Sequence, residues 1–238
     1  MNTKKTCLFK KLTDKQKKIA FGLLLGDAWL QSQTKGRTYR LRYEQGDCHK
    51  DYIHHIVDVF YPIFGTSPKK VIRINAAGNT VITWRCQSRT SPAFDCLAKA
   101  MYHQIPPKKI IHARFIEENL TPIGLAYWFM DDGGKSYYGK GIRYGLTFNT
   151  HGFSVQEVNF LITGLQEKFK LNCWMKFNKS RPIIVVSGFN YLSFLDICGE
   201  HIHESMYHKL PCGGLLIKKS KLFIIINVKY LHKVDDIV

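Results

Sequence analysis

The chain is expected to fold as an α+β protein built from two halves that share one plan, and three observations predict this. Two apolar runs, Ala20–Ala28 (AFGLLLGDA) and Leu125–Lys135 (LAYWFMDDGGK), each end abruptly on acid, and the acids Asp27 and Asp132 stand roughly a hundred residues apart. Behind each run the residues alternate between apolar and polar, the period of a half-buried strand. Between the strand patterns lie amphipathic stretches with helix start signals. Each half therefore reads as a helix, two or three strands and interposed helices, as an internal duplication predicts.

In the first half, Thr13-Asp14-x-x-Lys17 starts a helix whose apolar face runs through Ile19, Leu23 and Leu24 toward Asp27. Gly22 and Gly26 lie four apart on one face of it, where small residues let another helix approach closely. Left without such a partner they would only weaken the helix, by about 1 kcal/mol each relative to Ala. Thr38–Glu44 alternates, with Tyr39, Leu41 and Tyr43 inward and Arg40, Arg42 and Glu44 outward. Lys50–Phe64 is an amphipathic helix, followed by strands at Val71–Asn75 and Thr80–Gln87 around a Gly-containing turn. Pro92–His103 is a further helix, and Ile105-Pro106-Pro107 breaks the chain. In the second half, Gly133 and Gly134 are expected to close the apolar helix in left-handed geometry. Ile142–Asn149 is a strand, Ser154–Lys168 a helix with Ser154 and Glu157 in capping-box positions, Asn172–Asn178 and Pro182–Ser187 two strands, and Asn190–Cys198 a helix. The expected divisions are a basic arm at 1–14, a first half at 15–104, a linker and lead-in at 105–121, a second half at 122–212, and a tail at 213–238. The tail has no counterpart in the first half; its Phe223–Val228 run suits a strand or a packed helix.

Composition narrows the partner. Against 35 Lys and Arg stand 18 Asp and Glu, a formal charge of +17 over 238 residues. Such an excess makes the compact state repel itself and is usually retained for a polyanion, nucleic acid above all. No apolar run approaches a spanning length, and the basic residues lie along the whole chain, so a membrane partner is not expected. Seven cysteines with neither a C-x-x-C pair nor regular spacing argue against a zinc ribbon and a disulfide framework and point to a reducing compartment. The histidines, among them His54-His55 and His201-x-His203, have no Cys or acid at metal-site spacing and are read as structural or phosphate-contacting.

The acids carry the chemistry. A helix C-terminus is partially negative, so carboxylates in its last turn call for a positive partner, and a hard divalent cation fits. Phosphodiester hydrolysis needs an activated water and a neutralised leaving oxygen, which metals between carboxylates supply. The bland alternative for each acid is a solvated cap, and Asp131 stands beside Asp132 as a rival ligand. The outward residues of the strands, Arg40, Arg42, Arg85, Gln87, Arg143, Thr147, Asn149 and Lys176, are candidates to read or grip DNA, since an antiparallel ribbon fits the major groove. Contact with phosphates alone is the alternative for any one of them. Tyr39, Tyr43, Tyr144 and Phe148, which alternate with them, are read as core.

AFGLLLGDA and LAYWFMDDG, the latter flanked by Leu120-Thr121-Pro122 and Lys135, resemble the two signature helices of the LAGLIDADG homing endonucleases of the single-chain, two-motif type. The resemblance covers most of residues 15–211. It implies two pseudo-symmetric αββαββα-like halves packed through two parallel motif helices, with antiparallel sheets forming a saddle for DNA. It further implies that Asp27 and Asp132, by motif position, are the metal-binding catalytic residues, and that Lys109 and Lys209 are the basic residues beside the metal pockets. Mg²⁺ is the implied cofactor, with Mn²⁺ as a substitute. The implied activity is double-strand cleavage of a long, non-palindromic DNA site by a monomer encoded in an organelle, mitochondrion or chloroplast, within the intron it mobilises. An intron RNA maturase and a non-catalytic DNA-binding regulator are the alternatives on the same scaffold, and the presence of both acids favours the nuclease. The chain departs from the signature at Tyr127, where Gly is usual, at Asp131, where Ala is usual, and at Ala28, where Gly is usual, so the helix interface is expected to be asymmetric.

Overall fold

A computed structural model describes residues 11–34, 36–102, 108–138, 143–211, 216–219 and 222–225. The expected break at 105–107, residue Ile142 and most of the N-terminal arm and tail lie outside them. The chain forms two compact units that divide between Asp131 and Asp132.

In the first unit, α1 (Asp14–Leu25) opens on a complete capping box. The Thr13 side chain accepts from the Gln16 amide, and Gln16 returns a bond to the Thr13 amide. After α1 come β1 (Trp29–Ser32) and β2 (Tyr39–Gly46), then α2 (Lys50–Val59), β3 (Lys69–Ile74), β4 (Thr80–Gln87), α3 (Asp95–Met101), α4 (Ala113–Asn119) and α5 (Pro122–Asp132). The four strands form one antiparallel sheet in the order β1-β2-β4-β3. Leu41, Tyr43 and Cys86 are buried on its inner face against α2, whose Tyr52, Ile53 and Ile56 are fully buried. β1 and α4 carry no strong period and are additions to the expected plan. The expected Lys50–Phe64 helix stops at Val59, because Pro62 offers no amide to continue the ladder and its ring disfavours helical geometry at Tyr61. Phe60, Ile63 and Phe64 are nonetheless buried, so the apolar period outlasts the helix.

α5 is apolar all round, and it is buried all round, from Gly124 to Asp131. It runs parallel to α1. A Cβ on Gly22 would lie 2.9 Å from the Gly124 carbonyl carbon, a Cβ on Gly124 3.0 Å from the Lys18 carbonyl oxygen, and a Cβ on Gly26 2.6 Å from Oδ2 of Asp131. Glycines therefore let the two backbones touch, as the Gly22/Gly26 spacing predicts.

In the second unit, β5 (Gly133–Tyr138), β6 (Arg143–Phe148), α6 (Val155–Phe169), β7 (Cys173–Asn178), β8 (Arg181–Val186) and α7 (Tyr191–Cys198) repeat the plan, with sheet order β5-β6-β8-β7. Gly133 and Gly134 do not close α5 in left-handed geometry as expected. They enter β5 at once and pair with Phe148 and Thr147, the extended ladder winning over a left-handed cap. The Ser154/Glu157 capping box forms. Lys179 and Ser180 take positive φ in the tight β7–β8 turn. In the tail, β9 (Leu216–Lys219) pairs with β10 (Leu222–Ile225), the strand alternative for the Phe223 run. Among the described residues, no helix is long and apolar enough to cross a membrane, and Cys48, Cys86, Cys96, Cys173 and Cys198 are free.

Candidate functional site

Asp27 lies two residues past the end of α1. Gly26 donates back to the Gly22 and Leu23 carbonyls and Ala28 to the Leu23 carbonyl, so the chain closes the helix and turns sharply. Gly26 and Ala28 are buried while Asp27 between them is exposed, which projects one carboxylate from an otherwise sealed helix end. Gln45 Nε2 donates to Asp27 Oδ2 at 2.6 Å. Lys109 Nζ donates to the Gly26 carbonyl at 2.7 Å, bringing an ammonium to the peptide that joins Gly26 to Asp27. Of the residues named from sequence, Asp27 and Lys109 thus come together directly.

The neighbouring acids at the end of α5 have different fates. Asp131 is 7% exposed. Its Oδ1 accepts from the Tyr43 hydroxyl at 2.5 Å and its Oδ2 from the Asp27 amide at 3.1 Å. Asp132 is half-exposed, and its backbone carbonyl accepts from the Asn149 amide at 2.9 Å. Burial therefore separates the two acids: Asp131 is enclosed by the fold and Asp132 is partly exposed. Burial, and then Asp131, push the Tyr43 and Tyr52 hydroxyls well above the ordinary phenol range, so both remain neutral donors. Lys209 is half-buried in the turn Glu204–Lys209, which packs on β5.

Gln45 and His49 were not singled out from sequence, and Tyr43 was read only as core. Gln45 accepts at Oε1 from His49 Nδ1 at 2.9 Å and donates to the Tyr43 hydroxyl at 2.9 Å. A signal was present: Gln45 continues the inward parity of Leu41 and Tyr43, and a polar side chain on an apolar face must find partners. The expected strand ended at Glu44, one residue short of it. Of the histidine pairs, His55 bonds the Tyr127 hydroxyl at 2.7 Å and His54 packs on the Trp84 ring, both structural roles.

The outer face of the first sheet collects the expected basic residues. Arg42 lies opposite Gln87, Glu44 opposite Arg85, and Arg85 opposite Lys69, so the register brings all of them to one side with Arg40 and Arg73. They are not loose: Arg40 and Arg42 both donate to Gln31 Oε1, at 2.6 Å and 3.1 Å in their shortest contacts, and Arg42 also covers the Trp29 ring. Burial and the neighbouring Arg85 and Arg40 guanidinium groups lower the pKa of Arg42. Glu44 pairs with Arg85 at 2.8 Å and with Arg73. Gln87 is exposed. On the second sheet the register sets Thr147 opposite Val185 and Val185 opposite Trp174, with Lys176 exposed one pair along. This face is less polar than expected, for Ile183 and Val185 on it are buried. Thr147 donates to the Gly134 carbonyl, and Asn149, just past β6, is exposed. The Arg143 side chain lies outside the described residues.

Among the described residues no group of three or more His, Cys, Asp or Glu could hold a metal. Carboxylate oxygens are in general the protein ligands of hard cations such as Mg²⁺, which take one or two of them and complete the shell with water and phosphate oxygens.

The model of the LAGLIDADG DNA endonuclease family matches residues 17–194. The chain is 39% identical over 196 residues to the probable intron-encoded endonuclease 1 of Wickerhamomyces canadensis, covering 82% of this chain and 83% of that one. It is 27% identical over 226 residues to the cytochrome b mRNA maturase bI2 of Debaryomyces hansenii, covering 93% of this chain and 75% of that one. The structure of the homing endonuclease I-WcaI bound to its DNA recognition sequence superposes with a TM-score of 0.80 at 37% identity, over 88% of this chain and 93% of that one. Two apolar helices in parallel contact through glycines, each followed by a four-stranded antiparallel sheet, together with these likenesses, establish that the chain belongs to the LAGLIDADG DNA endonuclease family.

Proposed function

We propose that the protein is a homing endonuclease: a sequence-specific enzyme that hydrolyses both strands of a long, non-palindromic DNA site with divalent metal, acts as a monomer, and is encoded in an organelle intron. The observation that carries the reading is the exposed Asp27 carboxylate at the sealed end of α1, with Gln45 on one of its oxygens and the Lys109 ammonium on the adjoining peptide. Asp27 and Asp132 would hold Mg²⁺, or Mn²⁺ in its place. The metal, when bound, supplies Lewis acidity at the scissile phosphate and acidifies a bound water. Gln45 orients the Asp27 carboxylate. Lys109 and Lys209 add positive charge where the phosphorane develops its negative charge. Arg40, Arg42, Arg85 and Gln87 on the first sheet, and Arg143, Thr147, Asn149 and Lys176 on the second, would contact the duplex. Arg suits guanine edges, Gln and Asn suit adenine, and the remainder grip phosphates.

The likeness to a cytochrome b mRNA maturase supports one second reading, binding of intron RNA to assist splicing. A plasmid library carrying organelle-derived and randomised DNA, incubated with and without Mg²⁺ and sequenced at its ends, separates the two. Discrete Mg²⁺-dependent double-strand breaks, abolished by Asp27→Asn and by Asp132→Asn, are the expected result. Breaks that survive either substitution at the wild-type rate overturn the catalytic assignment. Tight binding of intron RNA without any cut favours the maturase reading.

A further inference from the structure

We propose that Asp131 is a positioning residue for Asp27: a buried carboxylate that fixes the Asp27 peptide directly and aims the Asp27 side chain through Tyr43 and Gln45. The inference rests on the nuclease reading for its functional consequence, and on the structure alone for its geometry.

The direct arm is a clamp on one peptide unit. The Gly26–Asp27 peptide has its carbonyl bound by the Lys109 ammonium at 2.7 Å and its amide bound by Asp131 Oδ2 at 3.1 Å. A cation on the oxygen and an anion on the amide each match the local dipole, so rotation of this peptide breaks two charge-assisted bonds at once. The carboxylate reaches the amide only because residue 26 has no side chain, since a Cβ there would fall 2.6 Å from Asp131 Oδ2. Gly26 and Asp131 therefore form a matched pair.

The second arm has a single consistent direction of hydrogen bonding. Asp131 Oδ1 can only accept, so the Tyr43 hydroxyl spends its one proton there, at 2.5 Å. The Tyr43 oxygen must then accept from Gln45 Nε2 at 2.9 Å. The other hydrogen of the same amide goes to Asp27 Oδ2 at 2.6 Å. A flipped Gln45 would set its carbonyl against a carboxylate and against a hydroxyl with no proton left to give. Gln45 Oε1 thus faces His49, whose Nδ1 must be the donor across 2.9 Å. Each bond in the chain Asp131–Tyr43–Gln45–Asp27 fixes the sense of the next. The result is an Asp27 carboxylate with one oxygen tethered from inside the fold while the side chain stays exposed. Outer residues that orient a metal-binding carboxylate are worth about 10–100-fold in metal affinity or activity.

The test uses the full-length protein with Asp131→Ala, Tyr43→Phe and the double variant. Alanine is the residue the family signature carries at this position, so the scaffold accommodates it. The double variant removes both ends of the short bond, so neither is left facing an absent partner. Two readouts are made: hydrogen exchange at the Asp27 amide by NMR of protein labelled with ¹⁵N-aspartate, and the Mg²⁺ concentration that half-saturates cleavage of the target found by the library screen. Asp131→Ala is expected to speed Asp27 amide exchange at least tenfold while the slowest core amides keep their rates. Asp131→Ala and Tyr43→Phe are each expected to raise the half-saturating Mg²⁺ about tenfold, with DNA affinity in Ca²⁺ within twofold of wild type. Wild-type exchange at Asp27 in a folded Asp131→Ala protein overturns the proposal, and so does an unchanged Mg²⁺ requirement in both variants. Absence of metal-dependent cleavage in the wild type defeats the nuclease reading instead, and the exchange measurement then decides the positioning claim alone.

Discussion

Replacing Gly22 with alanine tests the helix contact on which the fold depends. The added Cβ would sit 2.9 Å from the carbonyl carbon and 3.0 Å from the Cα of Gly124. Those are backbone atoms of a buried helix, with no flexible side-chain end to swing aside, so α1 and α5 must separate locally. Overpacking of this kind costs about 1–3 kcal/mol and occasionally more, and the clash here belongs at the upper end. Alanine recovers about 1 kcal/mol of helix propensity. The net expectation is a loss of about 2 kcal/mol, or a melting temperature lower by about 4–8 °C in a protein of this size. Gly124→Ala should cost less, because its nearest neighbour is the Lys18 carbonyl oxygen at 3.0 Å and the next is the Thr121 hydroxyl oxygen at 3.4 Å. Gly152→Ala is the control, since a Cβ there meets nothing within 4 Å. Thermal melts of the three variants should rank Gly22 below Gly124 and Gly124 below Gly152. A Gly22→Ala protein that melts with the wild type would refute direct backbone contact between the helices.

Four further outcomes follow from the same structure. Glu44→Gln should free Arg73 and Arg85 on the outer face of the first sheet, strengthen DNA binding at low salt and steepen its salt dependence by about one phosphate's worth, a slope change near 0.9; an unchanged slope would show that this face does not meet phosphates. Thr13→Ala should lose the α1 capping box and about 1 kcal/mol of stability, read as a shift of urea midpoint with constant m-value. In a Cys7→Ser/Cys212→Ser background, a thiol reagent at pH 8 should label Cys48 and Cys96 and spare Cys86, Cys173 and Cys198, because burial pushes Cys86 and Cys173 up to about 12 and Cys198 well above its usual value. These folded-state values lie above the unfolded one, so their contribution is complete at neutral pH. It is lost as pH rises past about 8.5, at up to about 1.4 kcal/mol per pH unit for each thiol. Stability that stays flat between pH 8.5 and 11 would contradict their burial.

The parts of this fold that were legible share a physical cause. Strand β2 and helix α6 each bury one face only, and a half-buried element writes its period into its residues. The acids were legible because a carboxylate ending a fully apolar run is costly unless something uses it. What escaped notice had other causes. β1 and β5 are short and contain Trp29, Gln31, Gly133 and Gly134, so alternation has no room to register. The end of α2 was set by Pro62, a backbone restriction that overrode an apolar period still visible at Phe60, Ile63 and Phe64.

The choice between Asp131 and Asp132 shows where sequence reading reaches its edge. Consecutive residues on a helix point about 100° apart, so two acids at one helix end cannot share an environment, but nothing local says which one turns inward. That is decided by three distant residues: Gly26, which leaves space for a carboxylate; Tyr43, which donates a hydrogen bond to it from another element; and the Asp27 amide, which the turn after α1 leaves available. Each has an ordinary explanation taken singly, as a helix-weakening glycine, a core tyrosine and a turn amide. Only together do they make a buried acid affordable, and together they also explain why Gln45, a polar residue on an apolar strand face, stands where it can hold the exposed acid in place.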